Sequence, residues 1–63
     1  MPLVQVSILE GRTDEQKEVL IYELTEACCK AIGAPRETVR VLINEMPKQN
    51  WGIGGRSAKA IGR

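Results

Sequence analysis

Residues 38–46 read Thr-Val-Arg-Val-Leu-Ile-Asn-Glu-Met. β-Branched side chains dominate, with Val39, Val41 and Ile43 on one face and Arg40, Leu42 and Asn44 on the other, which is the alternation of a strand. Toward the N-terminus, Leu3-Val-Gln-Val-Ser-Ile-Leu9 repeats that period: Val4, Val6 and Ile8 share one face, and Leu3, Gln5, Ser7 and Leu9 the other. Between the two, Thr13 followed three residues later by Gln16 makes a capping box, with Asp14 and Glu15 well placed in the first helical turn. Leu20, Leu24, Ala27, Cys28, Ala31 and Ile32 then recur at helical spacing, while Lys17, Glu18, Glu23, Glu26 and Lys30 lie largely off that stripe. Gly33 supplies the left-handed stop and Pro35 keeps the helix from resuming. Residues 10–37 exceed the roughly dozen residues that a parallel crossover needs, and a helix of about 27 Å can run back along a strand of about 23 Å. The order predicts a right-handed β-α-β unit with parallel strands.

After Pro47, Lys48-Gln-Asn-Trp-Gly-Ile-Gly-Gly55 carries the glycines of tight turns or a short C-terminal hairpin, and Arg56–Arg63 has weak helical potential. No linker, repeat or low-complexity segment interrupts the chain, so residues 1–63 read as a single α+β domain. One helix covers one face of a sheet, yet both faces of both strands carry apolar side chains and two edges stay open. A chain of 63 residues buries only about 60% of the surface that its unfolded form exposes, so outside help is expected. Histidine is absent and the only cysteines, Cys28 and Cys29, are neighbours, which removes zinc sites and long-range disulfides from the choices. Oligomerisation is the helper that remains.

Nine basic residues stand against eight acidic ones, spread along the chain. Such a balance predicts no nucleic-acid footprint and no attraction to anionic membranes. No apolar run approaches the roughly 18 residues of a membrane span, and Met-Pro-Leu-Val-Gln is not a targeting segment, so a cytoplasmic, reduced setting is expected. Without histidine, acid-base chemistry near neutral pH needs a less usual base.

Met1-Pro2 offers one. Aminopeptidases remove an initiator methionine that precedes a small residue, and a freed Pro2 carries a secondary amine that titrates near 8, lower if desolvated or beside cations. The plainer reading makes Pro2 a rigid start to the strand. Arg12, in the loop after the first strand, and Arg40, on the mixed face of the second, could hold planar carboxylates bidentately, or could be solvated surface residues. Trp51, the single tryptophan, suits an interface anchor or an apolar pocket wall. Gly52-Ile53-Gly54-Gly55 followed by Arg56 fits no phosphate-binding pattern. Cys28 and Cys29 read as small core or interface residues, and no spacing singles out a catalytic pair among Glu10, Asp14 and Glu45.

Taken in order, Pro2 after Met1, Leu-Glu-Gly-Arg at 9–12, Asp-Glu-Gln-Lys at 14–17, Val-Arg-Val at 39–41, Asn-Glu-Met at 44–46 and Gly-Ile-Gly-Gly at 52–55 resemble the 4-oxalocrotonate tautomerase family over essentially the whole chain. The resemblance implies a tautomerase-like β-α-β subunit with a small hairpin, assembled as a homohexamer built as a trimer of dimers. It implies cofactor-independent conversion of a 2-hydroxymuconate-type dicarboxylate dienol to its conjugated 2-oxo isomer, with no metal. In that family the amino-terminal proline is the general base, a role that falls on Pro2. Arg40 matches the arginine that engages the 2-oxo or hydroxyl end, and Arg12 the one that binds the far carboxylate. Trp51 stands where phenylalanine is usual, an apolar wall, and Leu9 lines the same pocket, which draws on more than one subunit. Dehalogenase relatives need a carboxylate to activate water, and Gln49–Gly55 contains none. The competing class is a non-catalytic oligomeric scaffold or binding protein, in which Arg40 and Trp51 only make subunit contacts.

Overall fold

Pairing of the two long strands organises the chain. In the computed structural model, which describes all 63 residues, β1 (Leu3–Leu9) and β2 (Arg40–Met46) lie parallel, in register from Leu3 opposite Arg40 to Leu9 opposite Met46. Helix α1 (Asp14–Ile32) makes the crossover, and β3 (Gly52–Ile53) pairs antiparallel with β4 (Arg56–Ser57). The β-α-β unit and the short hairpin are as the sequence predicts.

Both helix ends follow the sequence signals. The Gln16 amide donates to Thr13 Oγ1 at 3.1 Å, and the Thr13 amide donates to Gln16 Oε1 at 3.0 Å. Two N–H groups that the helix cannot satisfy itself are thus paired reciprocally. At the other end Gly33, at φ 69°, donates to the Cys29 carbonyl at 3.0 Å. The face that α1 turns to the sheet differs somewhat from the predicted stripe. Leu20, Leu24 and Cys28 are half-buried as expected, joined by Ile21, Thr25 and Cys29, whereas Ala27, Ala31 and Ile32 are exposed. A 19-residue helix is about 28 Å long, so its last turn overruns a strand of about 23 Å and finds no sheet beneath it.

The second strand begins two residues later than predicted. The Pro35 carbonyl accepts both the Thr38 amide at 3.0 Å and the Thr38 hydroxyl at 2.7 Å, winding Arg36–Thr38 into a 3-10 turn that outcompetes the β propensity of Thr38. Near the C-terminus, Gly54 and Gly55 (φ 58° and 90°) form a two-residue turn of the kind that matches strand twist, which draws Arg56 and Ser57 into β4 instead of a helical tail. Beyond β4 the chain makes a single turn. Arg63 donates to the Ala58 carbonyl at 2.8 Å and Gly62 to the Lys59 carbonyl at 3.3 Å, the paired bonds of a Schellman motif with Gly62 (φ 77°) at its left-handed position.

Val4, Val6, Ile8, Val41 and Ile43 are half-buried, on the strand faces turned to α1. Only Val39 and Ala58 are buried, while Leu3 and Leu42, on the opposite sheet face, are 56% and 48% exposed. The chain exposes 4746 Å², against about 4,000 Å² for a compact monomer of this mass. Its radius of gyration of 14.5 Å likewise exceeds the roughly 11 Å of a compact 63-residue domain. An open sheet face with exposed leucines on so extended a subunit has the form of a piece that packs against others. No helix is long and apolar enough to cross a membrane.

Candidate active site

Because β1 and β2 run parallel, they deliver the candidate residues to two opposite ends of the sheet. Pro2 immediately precedes β1, and Arg40 opens β2; the Arg40 amide donates to the Pro2 carbonyl at 3.0 Å. The Arg40 guanidinium donates through Nη1 to the Glu37 carbonyl at 2.8 Å and to the Val39 carbonyl at 3.3 Å. An arginine that opens an apolar strand thus finds acceptors in the turn before it, and its remaining donors face outward. Pro2 is half-buried, and Met1 ahead of it is 87% exposed.

Leu9, Arg12 and Trp51 occupy the far end. Leu9 closes β1, Arg12 lies in the loop after it, and Trp51 ends the 3-10 turn Lys48–Asn50 just before β3. All three line one cleft of about 600 Å³, with Glu10, Lys48 and Arg63. A strand of about 23 Å separates this cleft from Pro2 and Arg40, so a single subunit does not bring the candidate residues together. They fall into two candidate half-sites, one carrying Pro2 and Arg40, the other Leu9, Arg12 and Trp51. Sequence reasoning does not single out Lys48 and Arg63. Their signal is three-dimensional, arising only when the C-terminal turn folds back onto the Lys48–Trp51 turn, where the Lys48 carbonyl accepts the Lys59 amide at 3.3 Å.

The carboxylates have other work. Glu45 and Asp14 both pair with Lys17, at 2.9 and 3.6 Å, and Lys17 lines a smaller cleft with Ile8, Arg12, Gln16 and Leu20. The hydrogen bond from Lys17 to Glu45 raises the lysine pKa above its ordinary 10.5. Arg36, bonded to Glu26 through Nε at 2.7 Å, is likewise held more firmly in its charged form. Neither pair sits in a half-site. Cys28 and Cys29 are free thiols, half-buried on α1. Chemically, the site offers two separate arginines for anions, an apolar aromatic wall, and a proline whose nitrogen becomes basic once Met1 is gone.

Residues 2–61 match the family described as tautomerase enzyme. The chain belongs to the tautomerase family. It is 62% identical to a 2-hydroxymuconate tautomerase of Stutzerimonas stutzeri and 52% identical to one of Comamonas testosteroni, each over the full length of both chains. Among solved structures it resembles a 4-oxalocrotonate tautomerase isozyme from Methylibium petroleiphilum (TM-score 0.95, 56% identity, 98% of this chain and 100% of the other). It also resembles a heterohexameric 4-oxalocrotonate tautomerase from Chloroflexus aurantiacus (TM-score 0.90, 39% identity, 94% and 95%). This tautomerase is therefore an isomerase of the keto-enol type, and the scaffold alternative is not favoured. Structural neighbours in the family assemble as oligomers, in keeping with the open sheet face.

Proposed function

We propose that this tautomerase converts 2-hydroxymuconate, or a closely similar dicarboxylate dienol, to its conjugated 2-oxo isomer, with Pro2 as general base after loss of Met1. The observation that carries the reading is the half-site in which Pro2 heads β1 directly beside Arg40, at one end of the sheet in a chain that matches 2-hydroxymuconate tautomerases over its whole length. The freed secondary amine removes a proton from the 2-hydroxydienoate and returns it to a distant carbon. Burial and nearby arginine both disfavour its protonated form, which keeps the base available near neutral pH. Arg40 engages the 2-hydroxyl end and stabilises the dienolate charge that appears as the proton leaves. Arg12 holds the far carboxylate, while Leu9 and Trp51 give the cleft an apolar wall. The chemistry is complete with these groups, so no cofactor enters the mechanism.

Since Arg12 and Trp51 lie a strand's length from Pro2 and Arg40, a working site takes its two halves from different chains. A homohexamer, a trimer of dimers, supplies such junctions and covers Leu3 and Leu42. In this reading the 63 residues are one domain, at work in the cytoplasm, where Cys28 and Cys29 stay reduced.

The experiment compares 2-hydroxymuconate ketonisation by two chemically synthesised chains, one beginning at Pro2 and one retaining Met1. The Pro2 chain is expected to exceed the other in kcat/KM by about 100-fold or more, the usual scale of general-base catalysis. Equal rates would contradict the reading.

A further inference from the structure

The cleft beside Trp51 gathers three cationic side chains, Arg12, Lys48 and Arg63, against one acidic side chain, Glu10. The ion pairs of the molecule are elsewhere, joining Lys17 to Asp14 and Glu45, and Arg36 to Glu26. None of the three cleft cations has a carboxylate partner. Even with the terminal carboxylate of Arg63 counted, the cleft keeps a net positive charge. Unpaired like charges in one concavity repel one another and favour an anion that relieves them.

Their gathering is built into the backbone. Fully buried Ala58 donates to the Trp51 carbonyl at 2.7 Å and accepts the Arg63 amide at 2.8 Å. The Lys48 carbonyl accepts the amides of Trp51 and Lys59, each at 3.3 Å. These bonds knit the C-terminal turn to the turn that carries Lys48, so the last residue of the chain returns to the wall of the cleft.

We propose that Lys48 and Arg63 join Arg12 in a three-cation cradle for the remote carboxylate of a linear dicarboxylate, and that these two residues set the preference for diacids over monoacids of the same length. The inference rests on reading this cleft as one half of the active site. Lys48 and Arg63 are positioning residues that act through charge. Arginine and lysine are exchangeable in such a role, unlike at a bidentate contact. The cleft is open to solvent, so each cation is expected to contribute about two- to fivefold to the preference, falling with added salt.

Trp51 is the only tryptophan, so its fluorescence reports on this cleft. Muconate and sorbate share a six-carbon diene and differ only in the second carboxylate. Titration of each into the assembled, Met1-free protein gives a muconate-to-sorbate affinity ratio. That ratio is expected to fall about tenfold in Lys48→Ala/Arg63→Ala, and to be restored in Lys48→Arg/Arg63→Lys. Salt should lower the ratio in the wild type more than in the double alanine variant. A matching fall in the ratio of kcat/KM for 2-hydroxymuconate over 2-hydroxypenta-2,4-dienoate should come through KM. An unchanged affinity ratio in the alanine variant, with sedimentation showing an intact assembly, would overturn the cradle, as would failure of the charge-conserving variant to restore it. If the binding pattern holds while ketonisation is absent, the proposed reaction fails and the cradle stands; the reverse result retains the tautomerase and removes the cradle.

Discussion

The Arg40 amide donates to the Pro2 carbonyl at 3.0 Å, which ties the residue just ahead of β1 to the residue that opens β2. The bond belongs to the first pair of the parallel ladder, Leu3 opposite Arg40, so the Pro2 carbonyl is held at the edge of the sheet. A base must be positioned as well as basic, and in the proposed mechanism this bond positions Pro2. The same parallel register sends Arg12 to the opposite end of the sheet, which gives the two arginines separate surroundings.

The two arginines should fail in different ways. In the proposed mechanism Arg40 acts on charge that develops in the transition state, so Arg40→Ala should lower kcat by about 100-fold. In the same mechanism Arg12 holds a carboxylate whose charge is the same before and during reaction, so Arg12→Ala should mainly raise KM, by about tenfold. Steady-state kinetics on 2-hydroxymuconate separate the two effects. Equal losses in kcat for both variants would contradict the assignment.

Stability at alkaline pH should depend on Glu45. Its hydrogen bond raises the Lys17 pKa above 10.5, so the folded state holds this proton more tightly than the unfolded chain. The stabilisation is fully present below the ordinary lysine value and is lost as pH rises through the raised folded value. Thermal melting from about pH 8 to about pH 11.5, a range that brackets the ordinary lysine value, should show a steeper alkaline fall in Tm for the wild type than for Glu45→Gln. Parallel curves would show that the pair does not contribute.

Leu42 tests the open sheet face. It lies opposite Gln5 in the register and is 48% exposed in the subunit. A carboxylate there would be buried without a partner on assembly, which is strongly unfavourable. Leu42→Asp should sediment as smaller species and lose ketonisation together with assembly. A fully assembled, active Leu42→Asp protein would place the subunit contacts elsewhere.

Much of this architecture is local in origin, which is why the sequence carries it. Thr13 and Gln16 sit three residues apart and cap each other wherever a helix starts, and the alternation of Val4, Val6 and Ile8 needs only its own strand to define a buried face. β2 starts later than its composition predicts because the Pro35 carbonyl captures Thr38 twice, a competition that β propensity does not register. Arg56 and Ser57 read as tail until the Gly54-Gly55 turn pairs them with Gly52 and Ile53. At the site, Pro2, Arg12 and Arg40 are legible as residue types and as a family pattern, whereas their separation to opposite ends depends on the parallel pairing. Lys48 and Arg63 stay hidden for a similar reason, since sequence distance conceals the folding of the last turn onto Trp51.

The most direct test of the divided site is complementation between Arg12→Ala and Arg40→Ala chains, each of low activity alone. Co-expressed in equal amounts, they assemble into mixed oligomers, verified by native mass spectrometry. If Arg12 and Arg40 of one site come from different chains, about one quarter of the sites regain both arginines by random mixing, and ketonisation should recover to about a quarter of the wild-type rate. If one chain supplied both arginines to a site, no mixed site would be intact, and activity no higher than the mean of the two parents would contradict the account.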